Sequence, residues 1–354
     1  MTTDIKTPVS IITGFLGSGK TTLINHLIQL PVLANSIVLV NEFGEISIDS
    51  DLIKKSGDSV VELKNGCVCC SLNEELGITL RDFKDQRTVG NLPPFDKVLV
   101  ETTGLANAGP IVGIIMEDPQ VRDEYDLDKV ITTVDSMNGV TNLNVHAESV
   151  EQVAIADRLI LTKLDMLDDP KGNEDLAELR ARLHSLNPSA PVLDGLQGVV
   201  DAAAIFNERP DEELVRYTDP EKWAPEPHDL GHQHNHHEVH DDRGHAISID
   251  ARRHDHHIKS FCIVRDQPIT QNALKVFWTA LGNMAGPNLL RVKGLVNVAE
   301  HPDAPAVIQS VREVFDDMRW MDGWPSKDRR TRIVIIGWMI DQDRIEDLLF
   351  EASN

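Results

Sequence analysis

The stretch Val9 to Thr22, VSIITGFLGSGKTT, decides the fold of this chain. Its apolar first half predicts a β-strand, and its second half matches the pattern G-x-x-x-x-G-K-[ST] of a phosphate-binding P-loop. Gly14, Gly17 and Gly19 let successive backbone N–H groups turn inward, at the positive end of the following helix. All four fixed positions stand between a predicted strand and a predicted helix, so we interpret the stretch as a phosphate site rather than a glycine-rich connection.

Two side chains of this loop predict its chemistry. Lys20 supplies a positive charge for the β- and γ-phosphates of a nucleotide, and the Thr21 hydroxyl is placed to ligate Mg²⁺. We therefore expect both residues to act in phosphoryl transfer.

The composition favours two domains. The chain has 354 residues, 41% of them hydrophobic, which is enough for two cores. Its 57 acidic and 34 basic residues give a formal charge of −23, which excludes nucleic acid and anionic membrane as expected partners. The opening residues lack a basic and then apolar targeting pattern, and the longest apolar run, 333–340, is too short for a bilayer. We expect a cytoplasmic protein.

Alternating strand and helix patterns predict an α/β fold of the P-loop NTPase type, with a Rossmann-like, mostly parallel sheet that binds ligands at the carboxyl ends of its strands. The strand SIVLV leads into NEFGE, which places Glu42 at that edge to face a nucleotide or its metal. The strand KVLV leads into ETTG, where Glu101 is expected in the Mg²⁺ shell and the Gly104 N–H at the γ-phosphate. The alternative for Glu42 is an ordinary charged loop.

A later strand, RLILT, ends in the sequence TKLD at the same predicted edge. The Asp165 carboxylate can accept two N–H groups that guanine has and adenine lacks, while the Lys163 stem covers the base. Taken alone, Thr162-Lys163-x-Asp165 is also typical of a loop and helix cap. After a P-loop, we interpret it as the element that selects the base.

Three of the four cysteines, Cys67, Cys69 and Cys70, fall within NGCVCC. In a reducing compartment such crowding favours metal over a disulfide. Three thiolates leave a tetrahedral ion one ligand short, as a carrier that passes the ion on requires. The alternatives are a buried trio of small apolar residues and a redox pair.

GFLGSGKTT, NEFGE, NGCVCC, ETTG and TKLD, in this order, resemble the CobW-type P-loop GTPases, a metallochaperone family, and LLRVKGL and RIVIIG extend the resemblance over almost the whole chain. The resemblance implies hydrolysis of GTP to GDP, coupled to the handling of Zn²⁺ or Co²⁺ for the apo form of a client metalloprotein. It implies metal at the three cysteines. It implies nucleotide contacts at Gly17, Ser18, Gly19, Lys20, Thr21, Thr22, Lys163 and Asp165.

Two positions depart from the pattern of that family. Thr162 replaces the asparagine of N-K-x-D, which removes an amide that orders the loop and contacts guanine N7, so we expect weaker base selectivity. Ser47 stands where glycine is frequent after NEFGE.

Between His228 and His257 the chain holds ten of its fourteen histidines and few large apolar residues. We predict a flexible, metal-collecting linker whose imidazoles bind zinc, nickel, copper or cobalt, or, alternatively, an inert spacer. The metal-binding spacing is clearest at His232, His234, His236 and His237.

The rest of the chain predicts a small α+β domain, with strands near 258–264, 289–298, 306–311 and 332–340 and helices near 270–284 and 343–352. We therefore divide the chain into a GTPase domain (1–210), an acidic, histidine-rich linker (211–257) and a C-terminal domain (258–354) for partner docking or regulation. Two other functions stay open: a metal buffer or sensor with nucleotide-tuned affinity, and a GTP-dependent interaction switch with structural cysteines. Self-association into a homo-oligomer is also open.

Overall fold

The computed structural model describes residues 6–40, 60–62, 71–92, 94–167, 170–206 and 258–352, with short pieces at 215, 218–219, 239–240 and 246–247. The NEFGE segment, the cysteine motif and nearly all of the histidine tract lie outside them. The predictions that fall there concern Glu42, Cys67, Cys69, Cys70, His232, His234, His236 and His237.

In the described part of the first domain, seven parallel strands form a sheet in the order β3-β2-β4-β1-β5-β6-β7. Apolar runs such as SIVLV are buried throughout, as in parallel strands covered on both faces. The α/β prediction is thereby confirmed. The strands are β1 (Thr7–Gly14), β2 (Ser36–Val40), β3 (Val60–Glu62), β4 (Lys97–Glu101), β5 (Tyr125–Asp135), β6 (Arg158–Thr162) and β7 (Val192–Asp194).

Helices cover both faces of this sheet, because side chains of successive strand residues point to opposite sides. Val9 and Ile11 pack into one hydrophobic cluster, whereas Ile12 packs into another with α1. The helices are α1 (Lys20–Leu27), α2 (Ser71–Thr88), α3 (Gly109–Glu117), α4 (Pro119–Arg122), α5 (Gly139–Val145), α6 (Ala147–Ala154), α7 (Pro170–Leu186) and α8 (Ala202–Phe206).

The second domain is an antiparallel sheet with two helices, in agreement with the α+β prediction. Two further short strands, β8 (Val239–His240) and β9 (Ala246–Ile247), pair separately within the histidine tract. The elements of the second domain are β10 (Ile258–Arg265), α9 (Gln271–Ala285), β11 (Leu289–Val296), β12 (Ala306–Val311), β13 (Val314–Phe315), β14 (Arg319–Trp320), β15 (Thr331–Trp338) and α10 (Gln342–Ala352).

The C-terminal sheet is buried on both faces. One face packs on α9, where Leu274, Phe277 and Leu281 are buried. The other face joins the core of the first domain, because side chains of β11, β12 and β15 share a hydrophobic cluster with β1. The two domains therefore share one apolar interior.

A buried ion cluster crosses the same boundary. Asp157 accepts hydrogen bonds from Arg291 Nη2 at 2.7 Å, Lys293 Nζ at 2.6 Å and Val130 N at 2.8 Å. Burial by itself would raise the pKa of Asp157, but the charges of Arg291 and Lys293 hold that pKa far below its usual range. Charge pairing thus accompanies apolar packing between the domains.

Among the residues that the structure describes, no helix has the length and apolarity needed to cross a membrane.

Candidate functional site

The P-loop connects β1 to α1 at the carboxyl edge of the sheet. Gly14, Gly17 and Gly19 all have positive φ, of 140°, 69° and 89°. At Gly14 a Cβ atom would lie 2.3 Å from Thr133 Oγ1, so only glycine fits between the loop and β5. Ser18 Oγ shares a hydrogen bond with Thr133 Oγ1 at 2.6 Å. The loop is thus held in shape by the neighbouring strand.

Lys20 is buried, and its ammonium group lies at the mouth of this loop. Its Nζ donates to the carbonyl oxygens of Gly14 at 2.8 Å and Phe15 at 3.2 Å. The positive charge is therefore held against the P-loop at the start of α1, and a phosphate oxygen there would meet a full charge as well as the positive end of the helix dipole.

Thr21 and Glu101 form a pair of oxygen ligands beside the loop. Thr21 Oγ1 donates to Glu101 Oε1 at 3.1 Å, and Glu101 is buried at the end of β4. Octahedral Mg²⁺ has ligands at about 2.0–2.1 Å, which places adjacent ligand atoms about 3 Å apart. The spacing and the oxygen chemistry of this pair therefore fit Mg²⁺.

The loop that follows β4, residues 102–108, packs directly on the P-loop. Thr102 Oγ1 donates to Thr13 Oγ1 at 2.8 Å. A Cβ atom at Gly104 would lie 2.6 Å from Leu16 N, so a side chain there would collide with the P-loop backbone. Thr103 Oγ1 is buried and has no hydrogen-bond partner in the described part of the chain, which leaves a polar group beside the phosphate site.

Thr162, at the end of β6, ties the base-selecting loop to the P-loop. Its Oγ1 lies 2.8 Å from the Ser18 carbonyl oxygen and 3.2 Å from that of Val134. Sequence reasoning placed this residue in the base-selecting element, as a replacement for an asparagine amide. The hydroxyl supplies a tether to the phosphate loop that the sequence pattern did not reveal.

Lys163 and Asp165 are held by residues that sequence reasoning missed. Lys163 Nζ donates to Asp135 Oδ2 at 2.7 Å. Burial opposes ionisation of Asp135, but hydrogen bonds from Asn138 and Lys163 outweigh it and lower the pKa of this carboxyl. Asp165 Oδ1 accepts from Gln197 N at 3.4 Å. The only sequence signal for Gln197 is the short G-L-Q-G turn after β7, at the same sheet edge.

The loop around Gln197 also reaches α1. Gly198 has a φ of 81°, and a Cβ atom there would lie 2.7 Å from Thr22 Cγ2. The loop around Gln197 is therefore packed against α1, and Thr162 separately connects the base-selecting loop to the P-loop.

The predicted zinc or cobalt ligands, which are the three cysteines and the four histidines with the clearest spacing in the tract, lie outside the described residues. No group of three or more His, Cys, Asp or Glu side chains in the described residues could hold a metal ion. The chain enters α2 at Ser71, directly after the cysteine motif. Helix α2 lies against α3, because Arg81 of α2 pairs with Asp118, the residue after α3, and Gly77 lies beside Ile114.

Comparisons with known proteins match both parts of the chain. Residues 8–194 match the model for "CobW/HypB/UreG, nucleotide-binding domain", and residues 258–353 match that for "Cobalamin synthesis protein cobW C-terminal domain". The zinc chaperone YjiA of Escherichia coli is 30% identical over 95% of this chain and 96% of its own length. The zinc chaperone CobW of Pseudomonas aeruginosa is 32% identical over 99% of this chain and 93% of its own length.

Among solved structures, the crystal structure of Zn(II)-bound YjiA GTPase from E. coli superposes with a TM-score of 0.66 over 99% of each chain, at 23% sequence identity. This likeness supports the fold described above.

Proposed function

Since the chain belongs to the CobW/HypB/UreG family, we propose that it is a GTP-hydrolysing metallochaperone that binds zinc, with cobalt as second choice, at Cys67, Cys69 and Cys70 and delivers it to the apo form of a client protein. The Thr21–Glu101 pair beside the Lys20 ammonium group is the observation that supports GTP hydrolysis. The names of the relatives, which are zinc chaperones, support the choice of metal.

In this proposal GTP and water give GDP and inorganic phosphate. Lys20 neutralises charge on the β- and γ-phosphate oxygens, while Thr21 and Glu101 would hold Mg²⁺ beside them. Bound Mg²⁺ supplies positive charge that offsets the charge on the phosphates. The Gly104 N–H donates to the γ-phosphate, and the backbone and side chains of Gly14, Gly17, Ser18, Gly19 and Thr22 complete the cradle.

In this proposal Asp165 selects guanine, and Lys163 covers the face of the base. Thr162 holds the base-selecting loop to the P-loop. To bind the base, Asp165 exchanges its 3.4 Å contact with Gln197 N for two N–H groups of guanine. We expect Asp165→Asn to weaken GTP binding by about 1–3 kcal/mol through the loss of a charge-assisted pair of hydrogen bonds. Equal competition by GTP and ATP for the unmutated protein would contradict this assignment.

We propose that a change at the γ-phosphate reaches the cysteine motif through the elements that connect the two sites. The loop 102–108 leads into α3, α2 lies against α3, and α2 begins directly after Cys70. A displacement of the loop by the γ-phosphate would therefore be transmitted to the start of α2. We propose that the cysteines switch with nucleotide, with Glu42 near the nucleotide metal, and that His232, His234, His236 and His237 only collect metal.

The experiment is a Zn²⁺ or Co²⁺ competition titration with a non-hydrolysable GTP analogue, with GDP and without nucleotide. We expect different tight-site affinities in the three states, and we expect Cys67→Ala with Cys69→Ala to remove that difference. Deletion of 228–257 is the control, since it should lower metal capacity and keep the nucleotide-dependent part. Equal affinities in all three states would end the switching proposal.

Two other readings are distinguished by measuring GTP turnover and partner docking beside the titration. A metal buffer would bind stoichiometric metal and show no GTP turnover above the background rate of free GTP. An interaction switch would show nucleotide-dependent docking of a partner with no metal bound.

A further inference from the structure

The loop 102–108 is fastened to α6 by one buried amide. Gln152, 2% exposed, donates from Nε2 to the carbonyl oxygens of Gly104 at 3.1 Å and Ala106 at 3.3 Å. Its backbone carbonyl accepts from Thr132 Oγ1 of β5 at 2.7 Å, which anchors the helix to the sheet. The position of Gly104 therefore depends on the position of α6.

The preceding residue of α6 is bonded to the C-terminal domain. Glu151 accepts from Arg312 Nη1 at 2.8 Å and from Trp338 Nε1 at 3.2 Å. Two consecutive residues of one helix thus make the two connections, one to the loop and one to the other domain.

Arg312 also contacts α3, the helix that begins directly after the loop 102–108. A Cβ atom at Gly109, the first residue of α3, would lie 3.0 Å from Arg312 Cδ, so the arginine stem lies directly over that position. Arg312 has a φ of 54°, in the left-handed region that costs a non-glycine residue free energy. Its backbone is held there by a 2.9 Å hydrogen bond from Arg312 N to the Leu290 carbonyl oxygen.

An open cleft of about 620 Å³ borders this contact, with Asn107, Gly113, Glu117, Arg312 and Val314 in its walls. Close-packed interiors resist displacement, but a side chain at the edge of a cleft can move without overpacking. Arg312 and the start of α3 therefore have room to shift together.

We propose that Arg312 is a positioning residue for the γ-phosphate loop and the point through which the C-terminal domain and the nucleotide influence each other. Arg312 contacts α3, which follows the loop 102–108, directly. It contacts α6, whose Gln152 holds that loop, through Glu151. The proposal rests on the proposed function in one respect, namely that Gly104 contacts the γ-phosphate. Because coupling is reciprocal, a partner that moves Arg312 changes the affinity for GTP by the factor by which GTP changes the affinity for that partner.

The test uses the full chain and compares two alanine substitutions on one helix. Gly109→Ala places a methyl group 3.0 Å from Arg312 Cδ and 3.1 Å from Asn107 Oδ1, whereas Gly113→Ala meets only ordinary contacts, the nearest at 3.6 Å. Both substitutions replace glycine by alanine in α3, and the gain in helix propensity is larger at the interior position 113 than at the first residue, 109. The readouts are equilibrium affinities for a fluorescent non-hydrolysable GTP analogue and for the matching GDP analogue, with a thermal unfolding curve for each variant.

We expect Gly109→Ala to weaken binding of the GTP analogue by at least about five-fold and to leave GDP binding unchanged, because GDP lacks the phosphate that Gly104 contacts. Gly113→Ala should change neither affinity. In an Arg312→Ala background, Gly109→Ala should lose most of its effect, since the arginine Cδ is then absent and only Asn107 Oδ1, at 3.1 Å, remains close to the methyl group.

Three outcomes would overturn the inference: an unchanged ratio of the two affinities in Gly109→Ala, an equal change in Gly113→Ala, or an unaltered effect in the Arg312→Ala background. If Gly109→Ala does not fold, Glu151→Gln replaces it with Glu148→Gln as its control, since Glu148 is exposed on the same helix. Absence of GTP-analogue binding in the unmutated protein would instead contradict the proposed function itself.

Discussion

Replacing Asp157 by asparagine tests how the two domains are held together. The carboxylate and both of its cationic partners are nearly inaccessible, with side-chain exposures of 2% for Asp157, 3% for Arg291 and 7% for Lys293. In the described residues the Nε and Nη1 atoms of Arg291 have no hydrogen-bond partner, so its pairing depends on Asp157. Asparagine keeps the shape and can still accept from Val130 N, but it removes the negative charge that faces Arg291 and Lys293.

Removing one partner of a buried ion pair typically costs about 3–5 kcal/mol, and we expect a loss of that size from the free energy of unfolding. Asp126→Asn is the matched control. Asp126 also pairs across the domain boundary, with Arg319 at 2.9 Å, but the two side chains are 38% and 47% exposed. Breaking such an exposed pair should cost less than about 1 kcal/mol.

The measurement is urea-induced unfolding followed by tryptophan fluorescence, for the unmutated chain and the two variants. A cost for Asp157→Asn no larger than that for Asp126→Asn would refute the claim that the buried cluster stabilises the domain boundary.

The same carboxylate predicts a pH dependence. Because folding lowers the pKa of Asp157, its contribution to stability is present above the unfolded value of about 3.9 and is lost as the pH falls toward the folded value. The difference between the unmutated chain and Asp157→Asn should therefore narrow below about pH 4, by about 1.4 kcal/mol per pH unit. A constant difference from pH 6 to pH 3 would contradict this assignment.

Three further predictions concern the site and the remaining cysteine. Lys20→Ala should nearly abolish GTP turnover in a phosphate-release assay and leave the circular dichroism spectrum unchanged, because the charge acts on the phosphates; unchanged turnover would defeat the P-loop assignment. Thr162→Val should weaken binding of a fluorescent GTP analogue by about 1 kcal/mol, since the hydrogen bond to the Ser18 carbonyl is lost, whereas Thr162→Ser should bind like the unmutated protein. Burial raises the pKa of the Cys262 thiol to about 12. In a variant with Cys67, Cys69 and Cys70 replaced by serine, iodoacetamide at pH 8 should therefore alkylate Cys262 on the order of 10³-fold more slowly in the folded protein than in urea. Equal rates would contradict the burial of this thiol.

The sequence was most informative where a short pattern determines backbone geometry. The P-loop pattern predicted the strand, the turn made by Gly14, Gly17 and Gly19, and the helix that follows it. The strands of the C-terminal domain were also placed well, because apolar runs such as RIVIIG are buried along their whole length. The predicted strand 306–311 has the bounds found in the structure.

Several helices were not predicted. Helix α3 is apolar almost all round, so its sequence GPIVGIIME carries little helical periodicity. Helix α5 has seven residues, too few for a clear period.

Other site residues were missed because their roles arise only when distant segments meet. Asp135 becomes the partner of Lys163, and Gln152 that of Gly104, across separations of 28 and 48 residues. Neither residue belongs to a motif, and glutamine in a helix is ordinary. Arg312 contacts Glu151 over 161 residues, beyond any local pattern.

The apolar interior shared by the two domains has a consequence for the segment between them. Packing joins the domains, so the histidine tract, residues 228–257, is not needed to keep them together. If that segment is the flexible linker that its composition predicts, doubling its length would cost only about 0.6 kcal/mol of chain entropy. Insertions and deletions there would be nearly neutral for folding, and the number of histidines could drift or be selected from one lineage to the next without any compensating change in the folded body.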